Sequence, residues 1–145
     1  MLLEMKQYDE SGRNTILIVD DDAINRAILR KIFSDSFSVA EAVNGRQGLE
    51  KILNPKNHYC AVLLDVMMPE MNGIEVVRKM ETAGLLKQIP VFLITAEAND
   101  KVIKEAYQLG VMDVIKKPYI SFVVIFFILL SITLHFFTVV KHKRK

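Results

Sequence analysis

The sequence predicts an α/β domain in which a parallel sheet is covered by helices on both faces. Apolar runs rich in β-branched residues, TILIVD, YCAVLLD and IPVFLIT, read as strands buried on both sides. Between them lie segments of about ten residues whose apolar side chains recur at helical spacing. The connections are short, with no internal repeat and no low-complexity linker. Such alternation calls for parallel pairing, because each helix carries the chain back across the sheet before the next strand begins. At 145 residues the chain can bury one core and carry a tail.

Taken in order, a polar lead-in over 1–14 precedes the first strand, TILIVD, which ends in three aspartates. From Ala23 to Phe33, Ile24, Ile28 and Ile32 recur every four positions with Arg26, Arg30 and Lys31 between them, an amphipathic helix with an isoleucine stripe. SVAEAV is a short second strand, and NGRQGLEKIL a second helix closed by Asn54 and Pro55. YCAVLLD ends in Asp65, and after the turn MMPEMNG the helix IEVVRKMETAG stops at Gly84. IPVFLIT ends in Thr95. NDKVIKEAYQLG is a helix capped by Asn99 or Asp100 and ended by Gly110. VMDVIKK is the last strand, ending in Lys117 before Pro118.

Composition excludes several classes. The 19 basic and 17 acidic residues give a net charge of +2, and KHKRK at the end of the chain holds much of the basic excess. The body therefore has no surplus to hold nucleic acid. Cys60 is the one cysteine, so no intramolecular disulfide forms; within YCAVLLD it reads as a small buried apolar residue in a reducing compartment. MLLEMKQYDESGRN lacks the apolar stretch of a secretory signal, which places the body in the cytoplasm.

Ligands of such folds sit outside the carboxyl ends of the strands. Those ends carry Asp20 and Asp21, Asp65, Thr95 and Lys117, which the parallel sheet should bring to one edge. Carboxylates crowded together repel and hold their protons unless a cation joins them. A hard divalent ion such as Mg²⁺ takes oxygen ligands and relieves that repulsion. A lysine ammonium and a threonine hydroxyl add donors for the oxygens of an anion bound against the metal. With one carboxylate free to attack, this is a site for in-line phosphoryl transfer onto aspartate, giving an acyl phosphate. Singly, each residue has an ordinary reading as a turn aspartate, a strand-end threonine or a surface lysine. Their joint placement at successive strand ends favours chemistry. Asp22 reads as a helix N-cap, and Met67, Met68, Met71 and Met80 as core and contact surface.

ILIVDDDAINRAIL, LLDVMMPEMNG, VFLITA and DVIKKPY, in that order and spacing, resemble the receiver domain of a two-component response regulator over residues 15–119. The resemblance implies a flavodoxin-like, doubly wound (βα)5 fold with sheet order 2-1-3-4-5. It implies that Asp65 accepts a phosphoryl group from a histidine kinase, a phosphotransfer protein or a small donor. Asp21 would bind Mg²⁺ directly and Asp20 largely through water, with the backbone carbonyl of Met67 as a further ligand. Thr95 would be the switch hydroxyl and Lys117 the cation that pairs with the phosphoryl oxygens. Such a domain is a phosphoacceptor that catalyses its own phosphorylation and dephosphorylation, not an enzyme with external turnover. Pro118 follows the lysine as in the family, where that bond is cis. Pro69 and Gly73 match the turn after the acceptor, where glycine permits an unusual backbone angle. Where the family often has Tyr or Phe, three residues before the lysine, this chain has Val114, so the usual aromatic readout is missing. A dehalogenase-type phosphatase would want an aspartate at Met67, and a nucleotide-binding domain a glycine-rich first loop in place of DDDAIN. A receiver-shaped interaction module without regulated phosphorylation is the closer rival; the intact acidic set argues against it, and the apolar tail argues for it.

Residues 120–140 carry no acidic residue, lysine or arginine and are followed by a basic tail over 141–145. A fifth helix of this family would be amphipathic, whereas a helix apolar all round is either fully buried or in a membrane. At about 1.5 Å per residue the stretch covers about 31 Å, a hydrocarbon thickness. A membrane anchor is one reading, although KHKRK would then lie on the far side from a cytoplasmic kinase, against the positive-inside tendency. A frameshift or truncation near Val124, replacing the family's charged helix and output domain, is a second. A buried or dimer-forming helix is the third. The resemblance also implies a homodimer through the face of the fourth helix, fifth strand and fifth helix, which this tail alters.

Overall fold

A computed structural model describes residues 14–97, 99–117, 128, 130–132, 134, 135 and 141. Among the described residues of 15–116, five strands and four helices alternate: β1 Thr15–Val19, α1 Ala23–Phe33, β2 Ser38–Ala42, α2 Gly45–Leu53, β3 Ala61–Asp65, α3 Gly73–Thr82, β4 Val91–Thr95, α4 Asp100–Leu109 and β5 Asp113–Lys116. All the strand pairs are parallel and the order is β2-β1-β3-β4-β5, the doubly wound arrangement that the resemblance implies.

The continuous apolar runs are explained by burial on two sides. Along β1, Ile16 and Ile18 face one layer while Leu17 and Val19 face the other, and β3 and β4 divide in the same way. One layer packs Leu49 and Ile52 of α2, Ile74, Val77 and Met80 of α3, and Ala106 of α4. The opposite layer packs Leu29 and Phe33 of α1, Phe37 and Ile115. Ile128 and Ile132, helical residues one turn apart, are buried in that second layer, whereas Leu130 and Leu134 are exposed.

Each of these helices starts at a capping side chain. Asp22 accepts from the amides of Ile24 and Asn25, Asn44 from Gln47, Asn72 from Glu75 and Asn99 from Val102. Asp22 is thus the cap its position suggests, and Asn99, not Asp100, caps α4. Gly84 and Gly110, at φ 72° and 114°, end α3 and α4 in the left-handed region.

The isoleucine stripe of α1 is corrected. Ile32 is partly buried against the core, but Ile24 is 71% exposed and Ile28 52% exposed, and the residues of this helix that are fully buried are Leu29 and Phe33. Cys60 is also only half-buried, its thiol 3.4 Å from the carbonyl of Thr15. Among the described residues no helix is long and apolar enough to cross a membrane. The membrane, frameshift and dimer readings of 120–140, and the Lys117–Pro118 bond, fall largely or wholly outside the described residues.

Candidate functional site

The carboxyl ends of β1, β3, β4 and β5 meet at one edge because the strands run parallel in register. The amide of Asp20 donates to Ala42 O at 3.2 Å, carrying the β1–β2 pairing one residue past the strand. Asp65 lies opposite Ile94, one residue before Thr95. The amide of Lys117 donates to Thr95 O at 2.7 Å, which sets the lysine at the same edge.

Carboxylate oxygens of Asp20, Asp21 and Asp65 all lie within 4.8 Å of one another. Lys117 Nζ stands between two of them, 3.2 Å from Asp20 Oδ2 and 3.4 Å from Asp65 Oδ1. Asp20 and Asp65 are only 2% and 5% exposed, while Asp21 faces solvent. Burial pushes the Asp65 carboxyl up to about 6; Asp20 pushes the same way, and Lys117 and the amide of Met67 pull against them. Burial alone would lower the Lys117 ammonium, but its contacts with Asp65 and Asp20 outweigh that and hold it above the ordinary lysine value. Three carboxylates thus face one ammonium, leaving negative charge at a solvent-open mouth. A donor set made only of oxygens fits Mg²⁺, and the crowding of Asp65 by Asp20 is the repulsion such an ion would relieve.

The β3–α3 turn brings the backbone close to the acceptor position. The Gly73 amide donates to Val66 O at 2.9 Å, and a Cβ on Gly73 would sit 2.4 Å from the carbonyl oxygen of Asp65. Gly73 is not among the residues of positive φ, so its need for glycine is close approach and not the unusual angle expected of it. The left-handed residue of this turn is Glu70, at φ 66°. Met67 exposes its side chain beside the site, and its amide is 3.4 Å from Asp65 Oδ1.

Thr95 is buried, but its hydroxyl is engaged away from the carboxylates. It donates to Glu97 O and accepts from the Glu97 amide, each at 3.2 Å. The residues that sequence reading passed over are Arg26 and Glu41. Arg26 reads as part of the solvated face of α1, yet its side chain is 14% exposed, with Nη1 donating to Asp20 O at 2.8 Å and Nε 3.3 Å from Glu41 Oε1. A basic residue one turn into α1 and an acid in β2 carry no spacing signal, because only the tertiary fold brings them together.

The geometry agrees with comparison to known proteins. Residues 16–122 match the family described as the response regulator receiver domain. The transcriptional regulatory protein SrrA of Staphylococcus aureus is 39% identical over 107 residues, covering 73% of this chain and 42% of that protein, so the chain spans less than half of that relative's length. Among solved structures, a chain of the CheX–CheY–BeF3–Mg²⁺ complex from Borrelia burgdorferi is 30% identical with a TM-score of 0.66, covering 76% of this chain and 83% of that one. The chemotaxis protein CheY4 of Vibrio cholerae is 27% identical with a TM-score of 0.67, covering 74% and 89%.

Proposed function

We propose, from the premise that this chain belongs to the response regulator receiver domain family, that it is a phospho-accepting switch with Asp65 as the acceptor. The observation that carries the reading is the placement of a buried Asp65 carboxylate against Asp20, Asp21 and Lys117 at one sheet edge. A carboxyl held at about 6 is mostly ionised at pH 7 and can act as a nucleophile there. Its oxygen attacks phosphorus in line; the bond from phosphorus to the donor's leaving group breaks, and an acyl phosphate remains on Asp65. Mg²⁺, held by Asp20, Asp21, Asp65 and the carbonyl of Met67, would supply charge neutralisation for the transferring group.

Lys117 pairs with the phosphoryl oxygens and gives up its share in Asp65. Thr95 turns its hydroxyl toward the same oxygens, which breaks both of its bonds to Glu97 and so moves the β4–α4 loop. With Val114 in place of an aromatic ring, that loop is the readout. The chain acts on itself and turns over no external substrate. Its donor is a histidine kinase or phosphotransfer protein, which sets the domain in the cytoplasm. The exposed Ile24 and Ile28 of α1, next to the acidic loop, supply an apolar rim for such a protein partner.

The test is uptake of phosphoryl groups from acetyl phosphate by the full chain, read by intact mass with Mg²⁺ or with a chelator. One group taken up with Mg²⁺ and none with chelator is expected. Equal uptake in both, or none in either, counts against the reading.

A further inference from the structure

We propose that Arg26 is a positioning residue of the magnesium site, braced by Glu41 so as to hold the Asp20–Asp21 peptide in the orientation that metal binding needs. The proposal rests on the metal reading of the acidic cluster given above. Arg26 Nη1 donates to the carbonyl of Asp20 at 2.8 Å. That carbonyl belongs to the planar peptide joining Asp20 to Asp21, so fixing it fixes the direction in which both carboxylates leave the backbone. The other side of the loop is tied as well: the Asp22 amide donates to Asp20 Oδ1 at 2.9 Å.

The guanidinium is itself held. Its Nε lies 3.3 Å from Glu41 Oε1, and Arg30, one turn along α1, binds Glu41 Oε2 through Nη2 at 2.6 Å and Nε at 2.9 Å. Glu41 is fixed on β2, where it pairs with Ile18 of β1, and its carbonyl accepts from Lys51 Nζ at 2.6 Å. The chain of contacts runs from the edge strand β2, paired to β1, through a planar fork to the metal loop. Lysine carries the same charge but cannot reproduce the fork that bridges Asp20 O and Glu41. Supports of this kind, one contact removed from a metal ligand, tune metal affinity.

The experiment measures Mg²⁺ affinity of the full chain by following amide shifts of residues 20–22 through a titration, for the parent, R26K, E41Q and the double variant. R26K separates geometry from charge, because losing the cation alone would strengthen binding of a second cation. R26K is expected to weaken Mg²⁺ binding about three- to tenfold. E41Q should weaken it less, and the double variant should add little to R26K because the pair acts as one brace. A purely structural ion pair would lower the thermal midpoint of both variants and leave Mg²⁺ affinity unchanged. R26K affinity equal to or tighter than the parent's overturns the proposal while the metal reading stands. A parent that takes up no Mg²⁺ overturns the metal reading and this inference together.

Discussion

Replacing Asp65 with asparagine is expected to make the metal-free protein more stable at pH 7, by about 1–3 kcal/mol. The Asp65 carboxyl is pushed up to about 6 in the folded chain, chiefly by burial and then by Asp20. In the unfolded chain it titrates near the ordinary aspartate value of about 3.9. Between those values the folded state binds more protons than the unfolded one, so stability falls as pH rises through the window. Below about pH 4 both states are protonated and the penalty vanishes; above about 6 it is fully present. Asparagine copies the shape of the protonated acid and carries no charge to desolvate. Urea unfolding of parent and variant at pH 7 and pH 4 measures the effect, with the gap expected to close at the lower pH. Mg²⁺ should reverse the order at pH 7, because only the parent gains the full ligand set. A parent more stable than the variant at pH 7 without metal would show that Lys117 over-compensates the burial of Asp65.

Gly73→Ala is expected to damage both fold and site. The added Cβ would lie 2.4 Å from Asp65 O, 2.9 Å from Val66 Cα and 3.1 Å from Asp65 C, all backbone atoms that cannot turn aside. Relief requires the β3–α3 turn to move away from the end of β3. Overpacking of this kind costs about 1–3 kcal/mol. Because the moved atoms belong to Asp65 itself, phosphoryl uptake should also slow by about 100-fold, the effect of a displacement of about 1 Å at a reacting group. Gly84→Ala is the matched control. At φ 72° with nothing within 4 Å of its Cβ, it should cost about 1 kcal/mol of backbone strain and leave the uptake rate alone. Stopped unfolding in urea and the time course of intact mass separate the two effects. Equal uptake rates for the two glycine variants would remove the close-approach argument.

The parts of the fold that could be read from residues were those set by local chemistry. Runs such as AVLL are apolar at every position because β3 is covered on both faces, and the polar residue at each strand end marks where the sheet stops and the site begins. The cap at Asp22 and the stops at Gly84 and Gly110 were legible for the same reason. The rotation of α1 was not. Its 11 residues carry two apolar stripes, Ile24 with Ile28 and Leu29 with Phe33. Tertiary contacts choose between them. Arg26 and Arg30 reach toward Asp20 and Glu41, and at about 100° per residue Ile24 and Ile28 lie about 200° away, on the solvent side. The role of Gly73 was visible as a glycine in a turn, but its cause is a carbonyl eight residues earlier that no local pattern reveals. The acidic cluster and Lys117 came together as expected, whereas the Thr95 hydroxyl is turned to Glu97, a choice of rotamer and loop that sequence does not encode locally. The apolar segment after Tyr119 offers no polar face to orient it; burial of Ile128 and Ile132 beside Leu29 and Phe33 is what the described residues add.

Asp65 is the group proposed to be phosphorylated. Its most direct test is intact mass of the full chain and Asp65→Asn, side by side, after acetyl phosphate and Mg²⁺. One phosphoryl group is expected on the parent, labile in base as an acyl phosphate is, and none on the variant. Equal uptake by the variant, or a stable adduct on the parent at another residue, would contradict it.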